Sequence, residues 1–550
     1  MSAIDRRAFL AFASSSLAAC ALPGNATRTA RTQRVRDFDL LIHGARVFDG
    51  TGAPGQSLDL ALRGERIAAI TPAGRIEPDR ARRHLDASGL CLAPGFIDIH
   101  THSDSDIFEY PGDESRIYQG ITTEVTGNCG GSAAPHAEWK DVAGYFRALE
   151  ERMVATNQIL LVGHGTLRRV VAGLENRPLT AAELTRLEVI LDAALAEGAA
   201  GLSSGLEYTP GRYSSTEELI ALARVVRRRK GFYASHVRNE EAGLLESIDE
   251  ALRIGTESGV RVQISHLKAA GKPNWPKQAS AIHAIERARG QGLDVLFDVY
   301  PYTAYSTGLS IFLSDEVREG GSSAMLARFA DPAQRARIRA ELEPRIASDP
   351  GAYELIVIAS TSAPDKSIVG RDLAGIAHAR GVDGSEALLQ LLTEAKGEVS
   401  FVGHAMDESN VVQALCHPLA FVSSDGYAMA PRGKALEKRP HPRSYGAFVR
   451  VLDRYVRQQG VLTLASAIHK MTGMPARQLR LSDRGRIAAG CIADLVIFDA
   501  ATVREEATFE DPHRLASGFA HVFVNGVAVL RDGIATGARP GIRCQAQYTD

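Results

Sequence analysis

His100-Thr101-His102 closes the apolar run Phe96-Ile97-Asp98-Ile99, and the same kind of ending recurs down the chain. His236 closes Phe232-Tyr233-Ala234-Ser235, His266 closes the run from Val260 to Ser265, and Asp425 closes the run from Leu419 to Ser424. Alternate residues of a strand face one side, so His100 and His102 present both imidazoles in one direction. Neutral imidazoles with a carboxylate suit a borderline divalent ion such as zinc. A single histidine at a strand end is ordinarily a solvated or hydrogen-bonded group; its repetition at several strand ends is what points to a metal. His164, in Val162-Gly163-His164-Gly165, and His404, in Val402-Gly403-His404, also follow strand-like runs. For these two a supporting or loop role fits better.

Such residues need a scaffold that brings distant strand ends together. The middle of the chain alternates apolar strands with helical stretches, the pattern of a parallel sheet with crossover helices. Strand candidates end near His100, Asn128, Gly163, Gly205, His236, His266, Tyr300 and Asp425. This predicts an α/β fold, a (β/α)8 TIM-like barrel, whose C-terminal strand ends are the face where such barrels carry chemistry. Asp37 to Leu92 reads instead as short strands, among them Phe38 to Ile42, Ala45 to Phe48 and Arg66 to Ile70. Near the other end, Asp494 to Phe498 reads as a strand, and Asn525-Gly526 is a hairpin turn between Val522-Phe523-Val524 and Val527 to Leu530. The economical arrangement is one small β-sandwich built from both chain ends, 36–92 and 480–543, flanking a barrel domain over 93–479. The stretch between Tyr300 and Asp425 is too long for one crossover, which predicts an inserted helical segment at about 315–393 over the barrel mouth. No internal repeat of fixed period is present.

The bulk properties restrict the partners. The chain has 550 residues, is 45% hydrophobic and carries a formal net charge of −2. No long basic run accompanies that charge, which argues against nucleic acid and leaves a small-molecule substrate as the expected partner. Beyond the N-terminus no apolar stretch is long enough to cross a bilayer. The six cysteines are scattered without a CxxC pair, so no disulfide scaffold is expected. The oligomeric state is left open. At the N-terminus, Arg6-Arg7 precedes the short apolar run Ala8 to Ala19, the layout of a twin-arginine export signal. Leu17-Ala18-Ala19-Cys20 resembles a lipobox, in which cleavage leaves a lipid-bearing Cys20 at the new terminus; the alternative is ordinary cleavage after small residues, with Cys20 discarded. Residues 1–35 are therefore expected to be signal and linker, and the location periplasmic, with or without a lipid anchor.

Pro94-Gly95-Phe96-Ile97-Asp98-Ile99-His100-Thr101-His102 resembles the opening motif of the amidohydrolase superfamily. The segments Thr126 to Gly130, Ala234 to Glu240, Ile264 to Lys268 and Asp298 to Tyr302 narrow the resemblance to the D-aminoacylase family, as do Ser424-Asp425-Gly426, His441-Pro442-Arg443 and Ala493 to Val496. The likeness runs from about residue 37 to 543. It implies an N-acyl-D-amino-acid deacylase with a tight zinc held by Cys129, His236 and His266, and a weaker or empty second site near His100, His102 and Asp425. Read without the resemblance, Cys129 is equally well a small buried residue after a strand. The resemblance further implies that Lys268, Tyr300 and Arg443 bind the substrate α-carboxylate, and that Tyr208 and Ser306 line the pocket. A guanidinium and an ammonium are the expected partners of a carboxylate. The bland readings are solvated loop charges for Lys268 and Arg443 and packing for Tyr208.

On this reading zinc acidifies water and polarises the amide carbonyl. Asp425 takes the water proton and passes it to the leaving amine; the plainer role is a structural cap before Gly426. Members that prefer acidic D-residues carry an arginine shortly after the Tyr-Pro-Tyr element. Thr307 to Leu313 has no basic residue here, and Phe312 suggests an apolar pocket, so neutral, hydrophobic D-residues are expected unless Arg328 reaches the site. Competing readings are a dipeptidase for dipeptides with a C-terminal D-residue, another ring-opening amidohydrolase, and a non-catalytic envelope binding or structural protein.

Overall fold

Residues 36–346 and 352–545 are described by the computed structural model. The twin-arginine run and Cys20 lie outside the described residues. Eight parallel strands form the centre: β1 (Phe96–Asp98), β2 (Ile121–Thr126), β3 (Asn157–Gly163), β4 (Gly201–Gly205), β5 (Phe232–His236), β6 (Arg261–Ile264), β7 (Val295–Val299) and β8 (Ala420–Val422). They pair in chain order. The last and first strands meet through the parallel bridge Thr101 to Gly426, with Asp425 N donating to His100 O and Ser424 N donating to Asp98 Oδ1. The expected (β/α)8 barrel is what forms.

The period of two along each strand decides what faces inward. Ile97, Val125, Ile159, Leu161, Phe232, Ala234, Leu296 and Phe421 fill the barrel interior, which Met474 and Leu479 help close. Leu160, Val162, Leu202, Tyr233, Val262, Phe297 and Val422 face the surrounding helices. The inward columns run on into the functional strand ends. Phe232 and Ala234 lead to His236, Leu296 leads to Asp298, and Phe421 leads to Asp425. The helices start with conventional caps; Thr180 and Glu183, for example, form a reciprocal capping box at Ala181–Ala196.

Strands from both chain ends form one ten-stranded sheet. Its join is Cys91–Pro94 paired antiparallel with Leu495–Phe498. Asn525 (φ 50°) and Gly526 (φ 76°) form the hairpin between Phe519–Val524 and Val527–Arg531. Leu40, Ile42, Leu60, Leu92, Leu495 and Ile497 make a separate core there.

The insertion between β7 and β8 is wider than 315–393 and is not all helical. Tyr305–Gly308, Ile356–Thr361 and Val399–Gly403 form a three-stranded antiparallel sheet. Helices Gly321–Ala330, Pro332–Ile346, Leu373–Arg380 and Gly384–Glu394 accompany it, sharing a core that includes Leu342, Ile358, Leu388, Leu391 and Phe401. Tyr305-Ser306-Thr307-Gly308 carries no apolar alternation, and its partner strand lies far down the chain, so its strand character is tertiary in origin.

Candidate metal centre

Cys129, His266 and Asp425 are non-glycine residues in the left-handed region, with φ of 50°, 32° and 51°. Each stands just past the end of a barrel strand, where the left-handed residue turns the chain sharply and aims its side chain back over the barrel axis. Such backbone costs roughly 1–3 kcal/mol per residue and persists only where the surroundings fix it.

The result is two groups of ligand atoms that share Cys129. In one, His236 Nδ1 lies 2.9 Å from His266 Nε2, and Cys129 Sγ lies 3.4 Å from His266 Nε2. In the other, Cys129 Sγ is 3.3 Å from His100 Nε2, and Asp425 Oδ1 is 3.5 Å from His100 Nε2 and 2.9 Å from His102 Nε2. Within each group all ligand atoms lie inside 4.8 Å of one another. Tetrahedral zinc spaces its donors by about 3.3–3.7 Å; the Cys129 and His100 contacts match that spacing, and the two 2.9 Å pairs need to open by only about half an ångström around an ion. A thiolate with two imidazoles leaves one position for water or substrate, as a catalytic zinc requires.

A neutral imidazole can ligate through one nitrogen only if the other carries the proton, and each of three histidines has a carboxylate at that other nitrogen. Asp298 Oδ1 is 3.2 Å from His100 Nδ1, Glu207 Oε2 is 3.2 Å from His236 Nε2, and Glu240 Oε1 is 3.0 Å from His266 Nδ1. Asp298 is itself held by Ser423 Oγ, by Gln263 Nε2 and by the His266 backbone N–H. These carboxylates fix ring orientation and tautomer. None of the three is among the site residues expected from the sequence. Asp298 carries a signal, since it stands on an inward column two residues before Tyr300, but Glu207 and Glu240 lie on loops without periodicity.

The electrostatics follow from this packing. Burial opposes a charged Cys129, but the neighbouring His100 and His266 outweigh it and hold the thiol well below its ordinary value. Burial likewise opposes charge on His102 and His236. Asp425 with Cys129 raises the first to about 9, and Glu240 with Cys129 and Glu207 raises the second to about 10. Burial would raise Asp425, yet Arg443 and His100 keep it well below the usual carboxylate range.

A cavity of about 440 Å³ opens over this cluster, reached by His102, Cys129, His266 and Asp425. Tyr208, Ser306 and Arg443 line it. The buried Arg443 guanidinium lies 2.6 Å from Asp425 Oδ2 and stacks over the Tyr300 ring at 4.9 Å. Tyr208 packs on the His236 ring at 4.7 Å and accepts a hydrogen bond from Thr307. Lys268 and Tyr300 instead line a narrow void behind His266. Lys268 Nζ is 2.5 Å from Glu240 Oε1 and 2.8 Å from His266 Nδ1, so this lysine is engaged with a ligand's carboxylate partner. Among the described residues, the buried Tyr300 Oη has no hydrogen-bond partner. The expected carboxylate clamp of Lys268, Tyr300 and Arg443 is thus divided: Arg443 faces the cavity, while Lys268 and Tyr300 line the void behind His266.

Several other expectations fall elsewhere. Phe312 packs against Phe401 in the insertion, 5.2 Å between centroids, and is not part of the cavity wall. Arg328 donates to the carbonyls of Val317 and Glu319 and does not line the cavity either. His164 pairs with Glu218 at 2.8 Å, and His404 packs against Phe509. The cavity's far wall contains Thr307, Gly308, Ala359, Ser360 and Ser400.

Comparison with known proteins gives the same picture. An amidohydrolase family model matches residues 83–387 and 438–530. The N-acyl-D-glutamate deacylase of Alcaligenes xylosoxydans xylosoxydans is 38% identical over 509 residues, covering 90% of this chain and 94% of that one. The D-aminoacylase of the same organism is 36% identical over 521 residues, covering 92% and 97%. The crystal structure of N-acyl-D-glutamate deacylase from Bordetella bronchiseptica, complexed with zinc and a phosphonate mimic of the tetrahedral intermediate, superposes with a TM-score of 0.79. It is 36% identical, over 93% of this chain and 100% of that one.

Proposed function

Because this chain belongs to the amidohydrolase family, and within it to the D-aminoacylases, we propose that it hydrolyses the amide bond of N-acyl-D-amino acids, releasing a free D-amino acid and a carboxylate. The observation that carries the reading is the joining of three features at one cavity: the Cys129, His236 and His266 ligand set, which reaches it through Cys129 and His266, the Asp425 carboxylate, and the buried Arg443 guanidinium beside it. One tight zinc belongs to Cys129, His236 and His266; the group of His100, His102 and Asp425 holds a second ion weakly or not at all. Bound there, zinc supplies Lewis acidity, polarising an amide carbonyl and bringing the pKa of water toward ~7.

The chain's own residues do the rest. Arg443, with Ser306 and Tyr208 along the same wall, receives the α-carboxylate and so fixes the amide relative to the metal ligands. Asp425 takes a proton from water as the water oxygen bonds to the carbonyl carbon. It then delivers that proton to the amide nitrogen as the C–N bond breaks. Lys268 and Glu240 hold His266, and the Tyr300 ring supports the Arg443 guanidinium. Holding the carboxylate and the amide at a fixed offset leaves room for the side chain of one enantiomer.

The D-residue preferred is neutral. Its support is an absence of basic side chains from Thr307 to Leu313, a far wall of small groups at Ala359, Ser360 and Ser400, and the matching of the one lysine on the lining, Lys438, by the carboxylate of Asp106. That wall is small and partly polar, so it suits neutral residues generally and not bulky apolar ones alone. Identity does not discriminate here, since a D-glutamate enzyme and a D-aminoacylase stand at 38% and 36%. The export signal in residues 1–35 supports a periplasmic location, with Cys20 as the candidate lipid attachment.

The test is an assay of zinc-loaded protein on paired D and L panels of N-acetyl amino acids, with Cys129→Ala as control. Release of neutral D-amino acids, lost in the control, is expected. Turnover of the L panel, or undiminished turnover by Cys129→Ala, contradicts the reading.

A further inference from the structure

A second groove, of about 500 Å³, leaves the metal cluster on another side from the Arg443 cavity. The two share His102, Cys129, Gly131 and Tyr208, while Arg443, Asp425 and Ser306 line only the first and Trp139, Arg169 and Thr166 only the second. An amide set over the cluster with its carboxylate toward Arg443 therefore directs its acyl half into this groove. An acetyl group, with three heavy atoms and the bulk of about two waters at roughly 30 Å³ each, would fill little of it.

The lining says what the acyl half is. Its floor is glycine backbone and hydroxyls, with Gly130, Gly165, Gly205, Ser132 and Thr166 among them, and it contains no leucine, isoleucine, valine or phenylalanine. Beside Gly131 the space is open, since a Cβ there would approach nothing nearer than Asn128 O at 3.9 Å. Trp139 forms one wall, stacked on Phe108 at 5.0 Å and edge-on to Tyr145 at 5.2 Å, which holds its indole firmly while part of it remains exposed. The rim carries both signs, Arg169 and His136 against Glu138, and all three are exposed. Backbone and hydroxyl groups beside aromatic faces match the alternating amides of a peptide, whereas a fatty chain would meet apolar surface only at Ala133, Pro210 and the rings of Trp139 and Tyr208, broken up by those polar groups.

Resting on the deacylase reading above, we propose that this groove is an acyl subsite for a peptide, so that the preferred substrates carry a D-residue at the C-terminus of a peptidyl chain two or more residues long. The reaction is unchanged: water adds to the last peptide carbonyl, the C–N bond breaks, and the nitrogen leaves protonated as the amine of the free D-amino acid. The C-terminal D-residue dipeptidase reading becomes the short limit of this specificity.

The experiment compares kcat/KM for N-acetyl-D-alanine, N-acetyl-Gly-D-alanine, N-acetyl-Gly-Gly-D-alanine and octanoyl-D-alanine, using the zinc-loaded full chain. The expected result is a rise of at least about tenfold from acetyl to acetyl-Gly-Gly, most of it in KM, with no comparable rise for octanoyl. Trp139→Ala and the exposed Arg169→Ala should each shrink the ratio of acetyl-Gly-Gly to acetyl. Because Trp139 packs on buried Tyr145, Arg169→Ala decides the matter if Trp139→Ala fails to fold. A flat length series with good acetyl turnover overturns the peptide subsite and leaves the deacylase standing. So does a gain that octanoyl shares or that Arg169→Ala leaves whole. Failure of every D-substrate at every length overturns both.

Discussion

The strand ends that carry Cys129, His236, His266 and Asp425 and the inserted unit that carries Ala359, Ser360 and Ser400 face the same cavity, yet they reach it differently. At the strand ends every ligand is determined several times over. Left-handed backbone sets Cys129, His266 and Asp425, the barrel's inward columns set His236 and Asp298, and a carboxylate stands behind each of His100, His236 and His266. The insertion has its own core around Leu388 and Phe401 and presents small side chains to the cavity, with Ser360 and Ser400 bonded to each other at 2.6 Å. The first region cannot change one member without disturbing several strands. The second can change its wall residues while its core stays intact. On the proposed function, chemistry is thus fixed on the barrel, and the choice of substrate side chain falls to a separately packed body.

The sharpest way to break this contrast is Cys129→Ala, which removes the atom shared by both ligand groups. A loss of kcat/KM on the order of 10³-fold or more is expected, with loss of tightly bound zinc by elemental analysis. Asp425→Asn comes next. It keeps the shape and the Cys129, His236 and His266 set, so zinc should remain while kcat falls by about 10²–10³-fold. Glu240→Gln probes the supporting shell. Losing the charge behind His266 should weaken zinc by roughly 10–100-fold in a chelator competition, and Lys268 should lose its anionic partner at the same time. The smallest effect belongs to the insertion. Ser400→Leu should alter the ranking among D-residues by about tenfold or less and leave zinc affinity unchanged. A large change in zinc affinity from Ser400→Leu, or none from Glu240→Gln, would erase the distinction between the regions.

Much of this architecture was legible in the sequence for definite reasons. Barrel strands are short apolar runs with regular endings, so His100, His236, His266 and Asp425 announced themselves by position. Asn525-Gly526 marked its hairpin because both residues adopt the positive φ that the turn requires. Cys129 depended on the family resemblance, since a cysteine after a strand is chemically ambiguous. The carboxylates behind the histidines stayed hidden because pairings such as Asp298 with His100 are made by barrel closure and span 198 positions. The insertion's sheet was missed because Tyr305–Gly308 owes its strand form to a distant partner. Phe312 was misplaced because its apolar character fitted a core as well as a pocket, and the core took it.

The most direct test of the central claim is a zinc titration of metal-stripped protein, following release of a neutral D-amino acid from its N-acetyl derivative against that of the L enantiomer. The account predicts that activity is absent at the start, climbs linearly to a plateau at one equivalent of zinc, and is confined to the D enantiomer. Full activity without zinc, a plateau that needs two equivalents, or equal release of the L-amino acid would contradict it.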